Sequence, residues 1–202
     1  SKLLKALNNI GKKPIMAYGG YESIILCNTN SPARLYGVAQ SVGYGEYRAI
    51  TPVGGGMPVN KYYFLPTHCR MRFDDVARIL SEHGYFSASK SEKEHALDYY
   101  RDICNCGICH EIIRDDINGF STYNDSIPYT VKTRNGILTK NRPTTDATLI
   151  AAIHFLNCKV FEWNYIENEN LSTVLDNLKS CYAQYQPKLV GHINKWCEIY
   201  GK

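Results

Sequence analysis

The chain has 202 residues, of which 44% are hydrophobic and 21% charged, with a net charge of +4. This composition is ordinary for one globular domain, or one and a half, large enough to bury a core. It excludes a helical membrane protein, because no run approaches the roughly 18 apolar residues of a span, and no secretory leader is read at the start.

In chain order, Leu3, Leu4, Leu7 and Ile10 recur at a helical period and predict a helix over 1–10, with Gly11 as its stop. Pro14 to Tyr18 reads as a short apolar strand ending at Gly19 and Gly20, whereas Tyr21 to Cys27 has no clear period. Leu35 to Ala39 reads as a second strand and Lys61 to Leu65 as a third, with the glycine loop Gly54 to Gly56 between them. From Arg72 to His83 the pattern is helical. Asp74 and Asp75 stand where the helix dipole favours acids, and Phe73, Val76, Ala77 and Leu80 form an apolar stripe. Gly84 to Ala88 reads as a fourth strand and Glu92 to Tyr100 as a further helix. Strand, loop and helix recurring in this way predict parallel βα units over 1–103.

A cysteine cluster follows, Cys104-Asn105-Cys106-Gly107-Ile108-Cys109-His110. Thiols spaced C-x-C-x2-C can reach one ion if the backbone turns tightly, and Gly107 permits such a turn. A structural zinc takes four tetrahedral N/S ligands, so a fourth partner is required. His154, in Ala-Ala-Ile-His-Phe-Leu at the start of a helical segment, is the expected one, and His110 beside the cluster competes with it. The alternative is three reduced cysteines in a loop. Cys27, Cys158, Cys181 and Cys197 lie in apolar sequence, where a thiol behaves as a small hydrophobe. These readings place the chain in a reducing, cytoplasmic compartment, with no membrane partner. Ser1 in place of methionine leads us to expect a processed product, an excerpt or a tagged chain.

Farther on, Asn118-Gly119 marks a turn, and Asn135-Gly136 inside 130–139 is a hairpin signal. Helices are predicted over 148–163, 171–184 and 187–200, the last with Pro187 in its first turn. The stretch 104–202 thus reads as a zinc-binding subdomain with C-terminal helices.

A C-x-C-x2-C cluster followed by a helix bearing Ile153-His154, all after parallel βα units, resembles the tRNA-guanine transglycosylase superfamily. That family exchanges guanine for a 7-deazaguanine base in tRNA, and some members act on DNA. The likeness runs from about Pro14 to Phe161. The stretch 40–46 resembles the loop of the sixth strand, which cradles the incoming base. Lys61 to Leu65 and Arg72 to Leu80 resemble the seventh strand and helix, and Gly84 to Ser87 the eighth strand. The resemblance implies an α/β fold, the C-terminal portion of a TIM-type (β/α)8 barrel with a zinc subdomain. It implies Zn2+ on Cys104, Cys106, Cys109 and His154, and base binding by Gln40, Ser41, Val42, Gly43, Gly45 and Glu46. The partners it implies are a nucleic acid, tRNA or DNA, and a guanine or 7-deazaguanine base.

Two departures qualify the function. Four βα units cannot close a barrel that needs eight, so another chain or segment must supply the rest, including the family's general-base aspartate. The family's nucleophilic aspartate ends the eighth strand, and the matching position after Phe86 is Ser87. A carboxylate attacks an anomeric carbon far better than an unactivated serine. The expected function is base exchange as part of a larger assembly. The alternative is a non-catalytic, zinc-stapled subunit that positions nucleic acid for a catalytic partner. Lys132, Arg134, Lys140 and Arg142 flank the hairpin and either neutralise phosphates or form a solvated face. His68, at a strand end, reads as structural or as a barrel-site residue.

Overall fold

A computed structural model describes residues 2–17, 19–31, 33–39, 61–133, 136–185 and 187–200. Within them the chain is a mixture of helices and small sheets. The helices are α1 (Lys2–Asn9), α2 (Tyr21–Ile25), α3 (Phe73–Glu82), α4 (Glu92–Asp102), α5 (Gly107–Ile113), α6 (Thr145–Asn168), α7 (Leu171–Gln184) and α8 (Pro187–Tyr200). The strands are β1 (Ile15–Ala17), β2 (Gly37–Ala39), β3 (Lys61–Phe64), β4 (Cys69–Arg72), β5 (Ser126–Thr133) and β6 (Gly136–Pro143). They pair as β1 with β2, β3 with β4 and β5 with β6, and among the described residues they close no barrel. No described helix is long and apolar enough to cross a membrane.

Two compact units emerge. One comprises Ser1–Ile50, Pro66–Cys69 and Lys159–Lys202; the other comprises Thr51–Leu65 and Arg70–Cys158. Each unit draws on both sides of residue 103.

In the first unit β1 and β2 run parallel, with Met16 opposite Val38. The stretch after β1 that lacked a clear period is α2, which buries Tyr21, Ile24 and Ile25. The Asn28 side chain donates to the Ile166 carbonyl at 2.7 Å and to that of Glu169 at 2.9 Å, tying the chain after α2 to the end of α6. Val174, Leu178 and Ile193 bury the apolar side of α7 and α8.

A buried ionic cluster lies in the same unit. Glu162 accepts from Lys159 Nζ at 2.9 Å and lies 2.7 Å from His68 Nδ1, and both Glu162 and Lys159 are buried. The His68 ring stacks on Tyr21 at 3.7 Å, and its backbone is left-handed at φ 53°. His68 is therefore held from two sides.

In the second unit, α3 carries Asp74 and Asp75 in its first turn and buries Phe73, Val76, Ile79 and Leu80. The strand expected over 84–88 does not form; the chain turns there instead. Gly84 takes a left-handed φ of 84°, and the Tyr85 N–H donates back to the Leu80 carbonyl at 3.0 Å. Donors that a strand would present sideways are thus spent closing α3. α4 opens on a capping box, in which the Glu94 N–H donates to Ser91 Oγ and the Ser91 N–H donates to the Glu94 carboxylate at 2.9 Å.

The turn expected at Asn118-Gly119 lies in a 3-10 stretch, Ile117–Asn124, packed on α5. A Cβ on Gly119 would lie 2.5 Å from the Ile112 carbonyl oxygen, an approach that only glycine allows. Gly119→Ala is expected to cost about 1–3 kcal/mol, because backbone rather than a flexible side chain must shift. Thermal melting checks this, and an unchanged Tm would show that α5 and the 3-10 stretch slide apart freely.

A hairpin forms where its sequence predicts one, with Ser126 opposite Pro143, but its register differs from the expected turn by one residue: Gly136 pairs with Thr133 and opens β6.

Candidate metal centre

The end of α4 sets the first ligand. Its last turn closes with the Ile103 and Cys104 N–H groups donating to the Tyr99 carbonyl, which fixes Cys104 just beyond the helix. Cys106 is the N-cap of α5, and Cys109 lies in its first turn. The turn between the two helices brings the thiols together. Gly107 has ordinary helical geometry and open space at its Cβ position, so the turn does not depend on it.

The fourth group arrives from α6. His154 lies well inside this helix, not at its start, and is fully buried. The ligand atoms of Cys104, Cys106, Cys109 and His154 all lie within 4.8 Å of one another. His154 Nδ1 is 3.4 Å from Cys106 Sγ, 3.4 Å from Cys109 Sγ and 3.9 Å from Cys104 Sγ. An ion bound tetrahedrally at about 2.3 Å from sulfur and 2.0–2.1 Å from nitrogen requires S···N separations of about 3.6 Å. The observed distances bracket that value.

His110 does not compete. It is exposed, stacks on Tyr100 at 3.9 Å and hydrogen-bonds to Asn105.

The tautomer of His154 is set by its surroundings. Nε2 lies 2.8 Å from the Tyr63 carbonyl oxygen, which can only accept, so Nε2 carries the proton. Nδ1 then presents its lone pair to the thiols. This is the outer hydrogen bond that orients a metal-ligating imidazole and makes it more basic.

Around the sulfurs stands a shell of phenols. The hydroxyls of Tyr62, Tyr99 and Tyr123 lie 3.7, 3.4 and 3.4 Å from Cys109 Sγ. Burial, with the Cys109 sulfur beside them, raises all three well above the ordinary phenol range. Tyr62 also stacks on His154 at 4.2 Å, and its hydroxyl bonds to that of Tyr99. Reading the sequence missed these phenols, because a tyrosine in a strand and one in a helix carry no spacing signal.

The surroundings shift the four groups in different directions. Hydrogen bonds from Cys104 and Cys109 push Cys106 far below the usual thiol range. Its hydrogen bond to Cys106 raises Cys104, and burial raises Cys109. Burial pulls His154 down, but Cys106 and Cys109 outweigh it and bring the ring up to about 10. Three sulfurs and one imidazole nitrogen, gathered within 4.8 Å of one another and largely out of water, are a donor set that a cation can satisfy in place of protons. The quartet therefore fits a metal ion.

A fourth thiol adjoins the quartet. Cys158, expected as a core hydrophobe, has its Sγ 3.8 Å from Cys104 Sγ.

The other predicted site residues are placed as follows. Gln40, Ser41, Val42, Gly43, Gly45 and Glu46 lie outside the described residues, as does Arg134. The strand register splits the described cations of the hairpin. Lys140 stands opposite Tyr129 and Arg142 opposite Ile127, which puts them on one face, whereas Lys132, opposite Ile137, is on the other. Arg142 lies 5.9 Å over the Tyr129 ring.

Ser87 is exposed in the turn after α3, and its Oγ bonds to Ser89 at 2.6 Å. His95 Nε2 lies 3.5 Å from that Oγ but 2.8 Å from the Ser87 carbonyl oxygen. The carbonyl can only accept, so Nε2 is protonated and cannot act as a base towards the hydroxyl.

No family model, no curated protein and no solved structure matches this chain.

Proposed function

We propose that this chain is the zinc-bearing portion of a transglycosylase-like enzyme that exchanges guanine for a 7-deazaguanine base in tRNA or DNA. The observation that carries the reading is the buried Cys104, Cys106, Cys109 and His154 quartet with the oriented imidazole. Three sulfurs and one nitrogen suit zinc, and four protein ligands leave no open position, as in a structural site. Zinc there supplies a clamp that ties α4, α5 and α6 together. On this reading 1–103 is part of a (β/α)8 barrel and 104–202 the zinc subdomain with its helices. Another chain or segment completes the barrel, and the reducing cytoplasm keeps the thiols free.

Ser87 favours a second reading, a non-catalytic subunit that holds nucleic acid for a catalytic partner. An exposed hydroxyl without a base is a poor nucleophile towards an anomeric carbon. The two readings agree that the isolated chain exchanges no base. Incubation with labelled guanine or 7-deazaguanine and either tRNA or DNA is expected to give no incorporation by this chain alone. The natively purified assembly should incorporate label on the first reading and fail to do so on the second. Incorporation by the isolated chain that is lost in Ser87→Ala would make Ser87 the nucleophile and overturn both.

The nucleic-acid contact has its own test. Lys140 and Arg142 share a hairpin face, so Lys140→Ala with Arg142→Ala should reduce the magnitude of the slope of log K against log salt by about 1.8 for duplex and about 1.4 for single strands, at roughly 0.9 and 0.7 per phosphate contact. Lys132→Ala, on the opposite face, should change it by less than one contact. Equal effects from the two faces, or no binding at low salt, would remove the hairpin from the interface.

A further inference from the structure

Cys158 stands one helical turn beyond His154 on α6 and is buried. Its Sγ lies 3.8 Å from Cys104 Sγ, 3.8 Å from His154 Nδ1 and 3.6 Å from His154 Nε2. Two thiolates on one tetrahedral ion sit about 3.8 Å apart, given sulfur–metal bonds of about 2.3 Å. Cys104 and Cys158 are thus already spaced as neighbouring ligands. Side chains four residues apart on a helix share a face, the spacing by which one helix offers two ligands to one ion. Yet Cys158 is not among the quartet whose atoms all lie within 4.8 Å of one another. With His154 the quartet would supply all four ligands of a tetrahedral ion, and Cys158 lies beside it.

We propose that Cys158 is a reserve ligand of this centre. When His154 Nδ1 withdraws, Cys158 Sγ takes its vertex, and a set of three thiolates and one imidazole becomes a set of four thiolates. The exchange balances without oxidant or reductant. The Cys158 S–H bond breaks as its sulfur–metal bond forms, and the released proton goes to the imidazole nitrogen whose metal bond breaks. Three thiolates and a neutral imidazole become four thiolates and an imidazolium, so the net charge of the centre is unchanged. The thiol is 3.8 Å from the nitrogen that receives the proton. A fourth thiolate makes the set softer, and the chain would keep its ion where imidazole ligation fails.

This inference rests on the metal reading above, and the test separates the two. Metal-free full-length protein is titrated with Co2+, whose near-ultraviolet thiolate-to-metal band grows with the number of bound thiolates, and zinc affinity is read by competition with a chelator. Wild type and Cys158→Ala should each bind one ion with a three-thiolate band. His154→Ala should also bind one ion, with a band about a third stronger, as four thiolates replace three. Its zinc affinity should stay within about tenfold of wild type, whereas adding Cys158→Ala should weaken it at least about 100-fold. His154→Gln, which keeps an amide N–H for the Tyr63 carbonyl, should behave like His154→Ala. A three-thiolate band in both His154 variants, or affinities equal to the double variant, overturns the reserve role. So does failure of both to accumulate as folded, loaded protein while Cys158→Ala does. Wild type that binds neither ion overturns the metal reading itself.

Discussion

On the proposal that Cys104, Cys106, Cys109 and His154 hold zinc, removing it is expected to unfold the region they join, with a loss of helical circular dichroism and a fall in Tm of about 10 °C or more. Structural zinc contributes up to about 10–16 kcal/mol of apparent binding free energy in small domains, all of it coupled to folding. The second unit also has an apolar core, including Phe73, Leu80 and Phe120, so the expected loss here is smaller, on the order of several kcal/mol. Cys109→Ser should be the most damaging ligand change, because Cys109 is fully buried and faces the hydroxyls of Tyr62, Tyr99 and Tyr123. Acidification should release the ion, since protons compete for the same sulfurs and for Nδ1. The measurements are elemental analysis of natively purified protein and melting with and without chelator. Protein that carries no metal, or a melt that ignores its removal, would leave three reduced cysteines and a core histidine.

The second large effect is expected at Glu162. Its carboxylate is 1% exposed and faces both Lys159 and His68, and removing one partner from a buried ion pair costs about 3–5 kcal/mol. Glu162→Ala should therefore destabilise by about that amount. Glu162→Leu combined with Lys159→Met should recover much of the loss, because an apolar pair of similar volume avoids the desolvation cost. Denaturant unfolding of the three proteins forms the test. A Glu162→Ala variant within about 1 kcal/mol of wild type would mean that water reaches the cluster and screens it.

The local features were legible because they depend on neighbours in the chain. The period of Leu171 to Gln184 and Pro187 to Tyr200 specifies helices that formed as predicted, and the Asn-Gly signal marks a hairpin that formed, with Gly136 paired in β6 and not in the turn. The thiol spacing of Cys104, Cys106 and Cys109 is equally local, so a candidate metal site could be read from it. What no local pattern carries is which distant group completes a site. His110 is adjacent in sequence, yet α5 turns it outwards to Tyr100, whereas α6 delivers His154 from 45 residues beyond Cys109. The phenols around Cys109, the approach of Cys158 to Cys104 and the Glu162 cluster depend likewise on how helices pack. Gly84 to Ala88 shows the same limit in reverse. Its composition suits a strand, but without a partner strand its backbone groups were better satisfied by capping α3. Periodicity and spacing determine the elements and the thiol cluster. Long-range packing alone decides which buried polar groups meet, because burial makes each unmet donor or charge costly and selects the arrangement that pairs them.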